Sequence, residues 1–153
     1  MMMVKKRTTI LLLMLTVGLA GTVHAVPMEQ NTPQELRKER EHSWLTSHPT
    51  IQKLHTLINE ERKRQGLQPL ELDPKMCLKA QEHAVWMAET GYSQHSSFPW
   101  PEIIFYGPRS AESAVQGWIY SPAHHGIMLN GGRQCGYGYM VIDGRCYWVG
   151  VFQ

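Results

Sequence analysis

The run CGYGYMVIDGRCYWVGVF at residues 135–152 constrains the fold more than any other feature of the chain. Two stretches rich in aromatic and β-branched residues flank Asp143-Gly144, a pair suited to the positive φ angles of a two-residue hairpin turn. The turn fixes a register: Ile142 opposite Arg145, Val141 opposite Cys146, and Cys135 opposite Phe152. Cys135 then lies ~20 Å from Cys146, whereas a disulfide needs Cα atoms within ~7 Å. A Cys135–Cys146 bond is therefore disfavoured. A bond from Cys77 to either partner and three buried free thiols both stay open.

Upstream of the hairpin the chain reads as helices. Ile51, Leu54, Leu57 and Ile58 recur at helical spacing within PTIQKLHTLINEERKRQG, and Gly66 follows a basic last turn. Asp73 and Pro74 form a cap and first-turn pair for a second helix running to Gly91, with Met76, Ala80, Ala84 and Met87 on its inward stripe. His83 beside that stripe reads as structural. Ser110 caps a third helix carrying Ala111, Ala114, Val115 and Trp118. Ser121-Pro122 restarts a short fourth helix. Trp86, Trp118 and Trp148 read as core. LQPLELD reads as a connector, and a short strand is expected around Glu102. The order predicts an α+β domain with helices covering a small antiparallel sheet.

The first residues belong to a different class of segment. Lys5, Lys6 and Arg7 precede the apolar run ILLLMLTVGLA, and Val23-His24-Ala25 follows. This predicts a secretory signal at residues 1–25, cleaved after Ala25; the apolar core is shorter than the ~20 residues of a membrane span. The product is expected to be secreted or periplasmic, without a stable membrane anchor. Cleavage removes three cations and no carboxylate, taking the formal charge from +2 to −1. That balance does not suggest a nucleic-acid surface. Residues 26–48 read as an N-terminal extension and residues 49–153 as one domain, expected to be a monomer.

HExxH, Walker-loop, GxGxxG and CxxC patterns are absent. Gly91-Tyr92-Ser93-Gln94-His95 lacks the second glycine of a nucleophile elbow. What remains is His95 and Glu102 in SQHSSFPWPEII, with His124 in SPAHHGIML. Two imidazoles and a carboxylate can bind a divalent metal with a position left open, or form a metal-free acid/base cluster. Phe98 and Trp100, in the proline-punctuated loop beside His95, are candidates to line a cleft, as is Tyr106. Gly136 and Gly138 alternate on one strand face, which favours close packing of a helix there.

Five blocks, in order, resemble the CAP superfamily of cysteine-rich secretory, antigen 5 and pathogenesis-related proteins, the compact bacterial type above all. They are LINEERKRQGLQPLELDPKM, AQEHAVWMAETGYSQHS, PEIIFYG, WIYSPAHHGIMLN and CGYGYMVIDGRCYWVGVF. The resemblance covers about residues 51–153. It implies a three-layer α-β-α sandwich and a cleft of His95, Glu102 and His124 that binds a divalent metal, often zinc. Ser121 stands where many eukaryotic members carry a second acidic residue. Pro101 and Ile103 replace the glycine and asparagine that usually flank the motif glutamate, and His125 replaces an arginine. His125 reads as a surface residue.

The resemblance implies an extracytoplasmic binding domain with a peptide, lipid or glycan partner. A metal-dependent, peptidase-like hydrolase and a lipid or sterol carrier are the alternatives. The sequence leaves open whether the site is catalytic.

Overall fold

The computed structural model describes Thr32, Arg37, residues 43–130 and residues 132–153. The expected signal and most of the expected extension lie outside the described residues. Among the described residues no helix is long and apolar enough to cross a membrane.

The elements are α1 (Trp44–Ser47), α2 (Pro49–Arg64), β1 (Glu71–Leu72), α3 (Pro74–Thr90), β2 (Glu102–Gly107), α4 (Ala111–Tyr120), α5 (Pro122–Asn130), β3 (Gln134–Ile142) and β4 (Arg145–Phe152). Local chemistry sets their ends. The His48 side chain accepts from Thr50 N–H ahead of α2, Asp73 accepts from Met76 N–H ahead of α3, and Ser110 accepts from Ser113 N–H ahead of α4. Gly91 closes α3 in the left-handed conformation. Leu45 of α1 is buried in the core, so domain packing begins before residue 49.

The sheet order is β1-β3-β4-β2. The β3–β4 register pairs Ile142 with Arg145, Val141 with Cys146 and Cys135 with Phe152, as the turn argument requires. Asp143 and Gly144 both take positive φ, 46° and 80°. β2 runs antiparallel to β4. The connector LQPLELD contributes β1, a two-residue strand parallel to β3, so the sheet is antiparallel apart from that edge.

Alternation along β4 explains the layers. Cys146, Trp148 and Phe152 face one core, with Ile51, Leu54 and Ile58 of α2 and Ala114 and Trp118 of α4. Tyr147, Val149 and Val151 face the other, with Met76, Ala80, Ala84 and Met87 of α3. A sheet buried on both faces between helices is a three-layer α-β-α sandwich. Gly136 and Gly138 let α3 lie directly on β3: a Cβ on Gly138 would sit 2.3 Å from the Ala80 carbonyl carbon. All three cysteines are free and buried. Burial pushes their thiols up, to about 11 for Cys77 and about 12 for Cys135 and Cys146.

Candidate functional site

Glu102 opens β2 and is 7% exposed. Its Oε2 accepts from Ser96 N–H at 2.9 Å and lies 2.9 Å from His95 Nδ1. A buried carboxylate needs such donors, because an unpaired buried charge is costly. The loop 91–101 thus wraps back over the start of β2, which is how residues seven apart in sequence become neighbours. Glu102 Oε1 is buried without a hydrogen-bond partner among the described residues, 3.9 Å from His83 Nε2.

His95 is largely exposed, so its ring reaches from Glu102 toward solvent. His124, on the first turn of α5, meets it edge to face with ring centroids 6.4 Å apart. Burial, then repulsion from His95, holds the His124 imidazole below its ordinary value of 6.5. It is therefore neutral at pH 7 and keeps a lone pair.

The remaining candidates fall around this cluster. Trp100 lies 6.0 Å from Phe98, ring centroid to ring centroid, and both pack against the α3-side core. Ser121 marks the junction of α4 and α5: its N–H donates to the Trp118 carbonyl, and its carbonyl accepts from His125 N–H. Tyr106 lies four residues along β2 from Glu102, a rise of ~13 Å, and its ring instead meets Tyr147 at a tilt, with Arg145 over it. His125 is half-buried, with Nε2 2.9 Å from Glu61 Oε1.

Three contributors were not legible as functional. Buried His83 stacks on Trp86, which is 37% exposed rather than core, and lies 2.9 Å from the Gln94 carbonyl, tying α3 to the loop that carries His95. Glu61 and Arg62 hold α5 against α2. Arg62 donates to the Met128 and Leu129 carbonyls at the end of α5, and Glu61 meets His125 in its first turn. The available signal was spacing: the stripe Ile51, Leu54, Ile58 continues onto positions 61 and 62, so charged residues there must be buried and paired.

Among the described residues no three His, Cys, Asp or Glu side chains are arranged to hold a metal ion. His95 and His124 lie near such an arrangement, but their rings would have to close by ~1 Å to share a tetrahedral zinc. Two imidazoles sharing a tetrahedral zinc have ring centroids about 5–6 Å apart, given Zn–N of ~2.1 Å, against 6.4 Å here. Glu102 then orients His95 through Nδ1, as carboxylates do for metal-binding histidines.

A three-layer sandwich with a histidine pair and a buried glutamate at one end of its sheet defines a class of small α-β-α domain. The chain belongs to the cysteine-rich secretory protein family (CAP), whose model matches residues 55–152. Solved structures share the fold. An outer surface protein of Borrelia burgdorferi is 24% identical with a TM-score of 0.60, covering 66% of this chain and 89% of that one. An extracellular SCP-domain protein of Bacillus anthracis is 21% identical with a TM-score of 0.54, covering 81% of this chain and 45% of that one. A cysteine-rich secretory protein of Staphylococcus aureus is 17% identical with a TM-score of 0.52, covering 68% and 39%. The chain thus spans less than half of the last two proteins. No curated protein matches it by sequence.

Proposed function

We propose that the chain is an exported binding domain. Its His95/Glu102/His124 cleft holds a divalent cation and presents a recognition surface to a partner outside the cytoplasm. The observation that carries this reading is the Glu102–His95 pair beside a neutral His124. A buried carboxylate spent on orienting one exposed imidazole toward another leaves two ring nitrogens to bind a cation. The bound ion would supply a Lewis-acid centre.

The geometry supports binding over hydrolysis. Glu102 is buried and engaged by His95 and Ser96, and a hydrolase needs a further base within reach of the reacting atoms. A lipid or sterol carrier needs a predominantly apolar cavity. The cavity beside α5, about 320 Å³, has Pro101, Pro122 and Ile127 on its walls but is small for a sterol, and a larger one of about 560 Å³ beside α2 is lined mainly by polar side chains such as His55, Asn59, Glu60 and Lys63.

Zinc titration by calorimetry, with His95→Ala and His124→Ala variants alongside, tests the reading. One-to-one binding lost in both variants is the expected result. Absence of binding, or binding unchanged in the variants, overturns it.

A further inference from the structure

The two edges of the sheet are treated differently. In β3 the backbone groups of Cys135, Tyr137, Tyr139 and Val141 point away from β4, by the register that pairs Gln134 with Gln153. That edge is covered at Cys135 and Tyr139. Asp73 N–H donates to the Cys135 carbonyl, and the Gln81 carboxamide pairs with both the N–H and the carbonyl of Tyr139. A side chain of α3 thereby stands in for a missing strand.

The β2 edge is covered only at its start, where loop 91–101 wraps over buried Glu102; from Ile104 onward it has no such cover among the described residues. Phe152 N–H donates to the Pro101 carbonyl, so residues 101, 103, 105 and 107 face β4, and Glu102, Ile104 and Tyr106 point their backbone outward. Among the described residues nothing hydrogen-bonds to the outward N–H or carbonyl groups of these three. Ile104 is half-buried and Tyr106 exposed. Pro101 and Pro108 bracket the open stretch and limit it to the length of β2. Beside its far end stand Arg145, over the Tyr106 ring at 5.8 Å, and Arg109, close enough to Cys146 to stabilise its thiolate. Neither arginine has a carboxylate partner among the described residues. The near end is the His95/Glu102 cluster.

We infer that this edge takes an extended peptide of a partner protein as a fifth strand, with acidic residues at the peptide end that meets Arg109 and Arg145. Unpaired, alternating N–H and carbonyl groups are matched by another extended main chain, and the two unpartnered cations select the sign of one end. The inference deepens the binding-domain reading by naming the partner class, and it does not depend on the metal.

The test uses the acetylated, amidated peptide Asp-Asp-Val-Thr-Val-Thr-Val and amide hydrogen exchange followed by NMR. In the free protein the Ile104 and Tyr106 amides exchange fast, while Ile103 and Phe105, bonded to β4, are protected. Saturating peptide is expected to slow Ile104 and Tyr106 by about tenfold or more. Arg145→Glu, a surface change that leaves the fold intact, is expected to weaken binding by about tenfold. A peptide N-methylated at every residue after the two aspartates, which has no N–H donor on either edge of that stretch, is expected to give no protection. No protection at millimolar peptide overturns the inference, as does protection that survives N-methylation. Protection that appears without peptide, rises with protein concentration and coincides with a dimer in sedimentation also overturns it, in favour of self-pairing. Zinc titration on the same sample separates failure of this inference from failure of the cleft.

Discussion

His95 Nδ1 lies 2.9 Å from Glu102 Oε2, and that carboxylate oxygen also accepts from Ser96 N–H. A carboxylate can only accept, so the shared proton belongs to His95 Nδ1 and the lone pair to Nε2, on the ring edge turned from Glu102. One contact thus sets the tautomer, the ring orientation and the path of loop 91–101. Glu102→Gln keeps the shape but removes the charge that holds the proton at Nδ1. It is expected to weaken zinc binding by ~10–100-fold while leaving the circular dichroism spectrum unchanged. Unchanged affinity would show that Glu102 serves the loop alone.

His124 supplies a pH signature. Burial and the nearby His95 both disfavour its charged form. An NMR titration of the metal-free protein is expected to find His124 titrating below 6.5. His95→Ala removes the second cause and leaves burial, so the His124 value should rise only part of the way. Because the folded value is depressed, this group's contribution to stability is present above the unfolded value and is lost as pH falls through the lower folded one.

The hairpin register was readable because Asp143-Gly144 admits few turn geometries, and every pair from Cys135 to Phe152 then follows. The same logic disfavoured the Cys135–Cys146 bond, and the structure holds all three thiols free. β1 was not readable, since two residues carry no period. The meeting of His95 with Glu102 was legible only through the family resemblance, not through spacing or periodicity. Its cause is a loop closing on a buried carboxylate, and propensity says nothing of that. Gln81 looks like any polar helix residue until β3 lies beside it.

Glu61 offers a test of how α5 is held. Burial alone would raise its carboxyl, but hydrogen bonds from Arg64, Gln65 and His125 together keep it below the ordinary 4.5. The stabilisation is therefore full above about 4.5 and disappears as pH falls through the lower folded value. Glu61→Gln is expected to cost ~1–3 kcal/mol at pH 7, and the gap to the parent should close toward pH 3. Thermal melts across that range check it. A gap independent of pH would mean that the loss is one of packing.

The thiols should be silent until the chain unfolds. Their raised values leave almost no thiolate at neutral pH, and each sulfur is buried. A colourimetric thiol assay at pH 8 is expected to find none in the native protein and three per chain in guanidinium. Fewer than three in denaturant would reveal a disulfide.

Gly138→Ala should be a strongly damaging single-methyl change, as should Gly136→Ala beside it. A Cβ added on Gly138 would meet the Ala80 carbonyl carbon and the Gln81 nitrogen, each at 2.3 Å, and these are helix backbone atoms that cannot rotate aside. Relief requires α3 to lift from β3, loosening Ala80 and Ala84 in the core and stretching the Gln81 bonds that cover the β3 edge at Tyr139. Overpacking of this kind costs ~1–3 kcal/mol or more, so the melting temperature should fall by roughly 5–15 °C. Gly126→Ala is the matched control. Its Cβ would meet nothing within 4 Å, and it lies inside α5, where alanine is the better helix former. That change is expected to be neutral or to stabilise by up to ~1 kcal/mol. Equal melting temperatures for the two variants would mean that α3 does not sit on β3 as closely as described, and the three-layer packing would have to be redrawn.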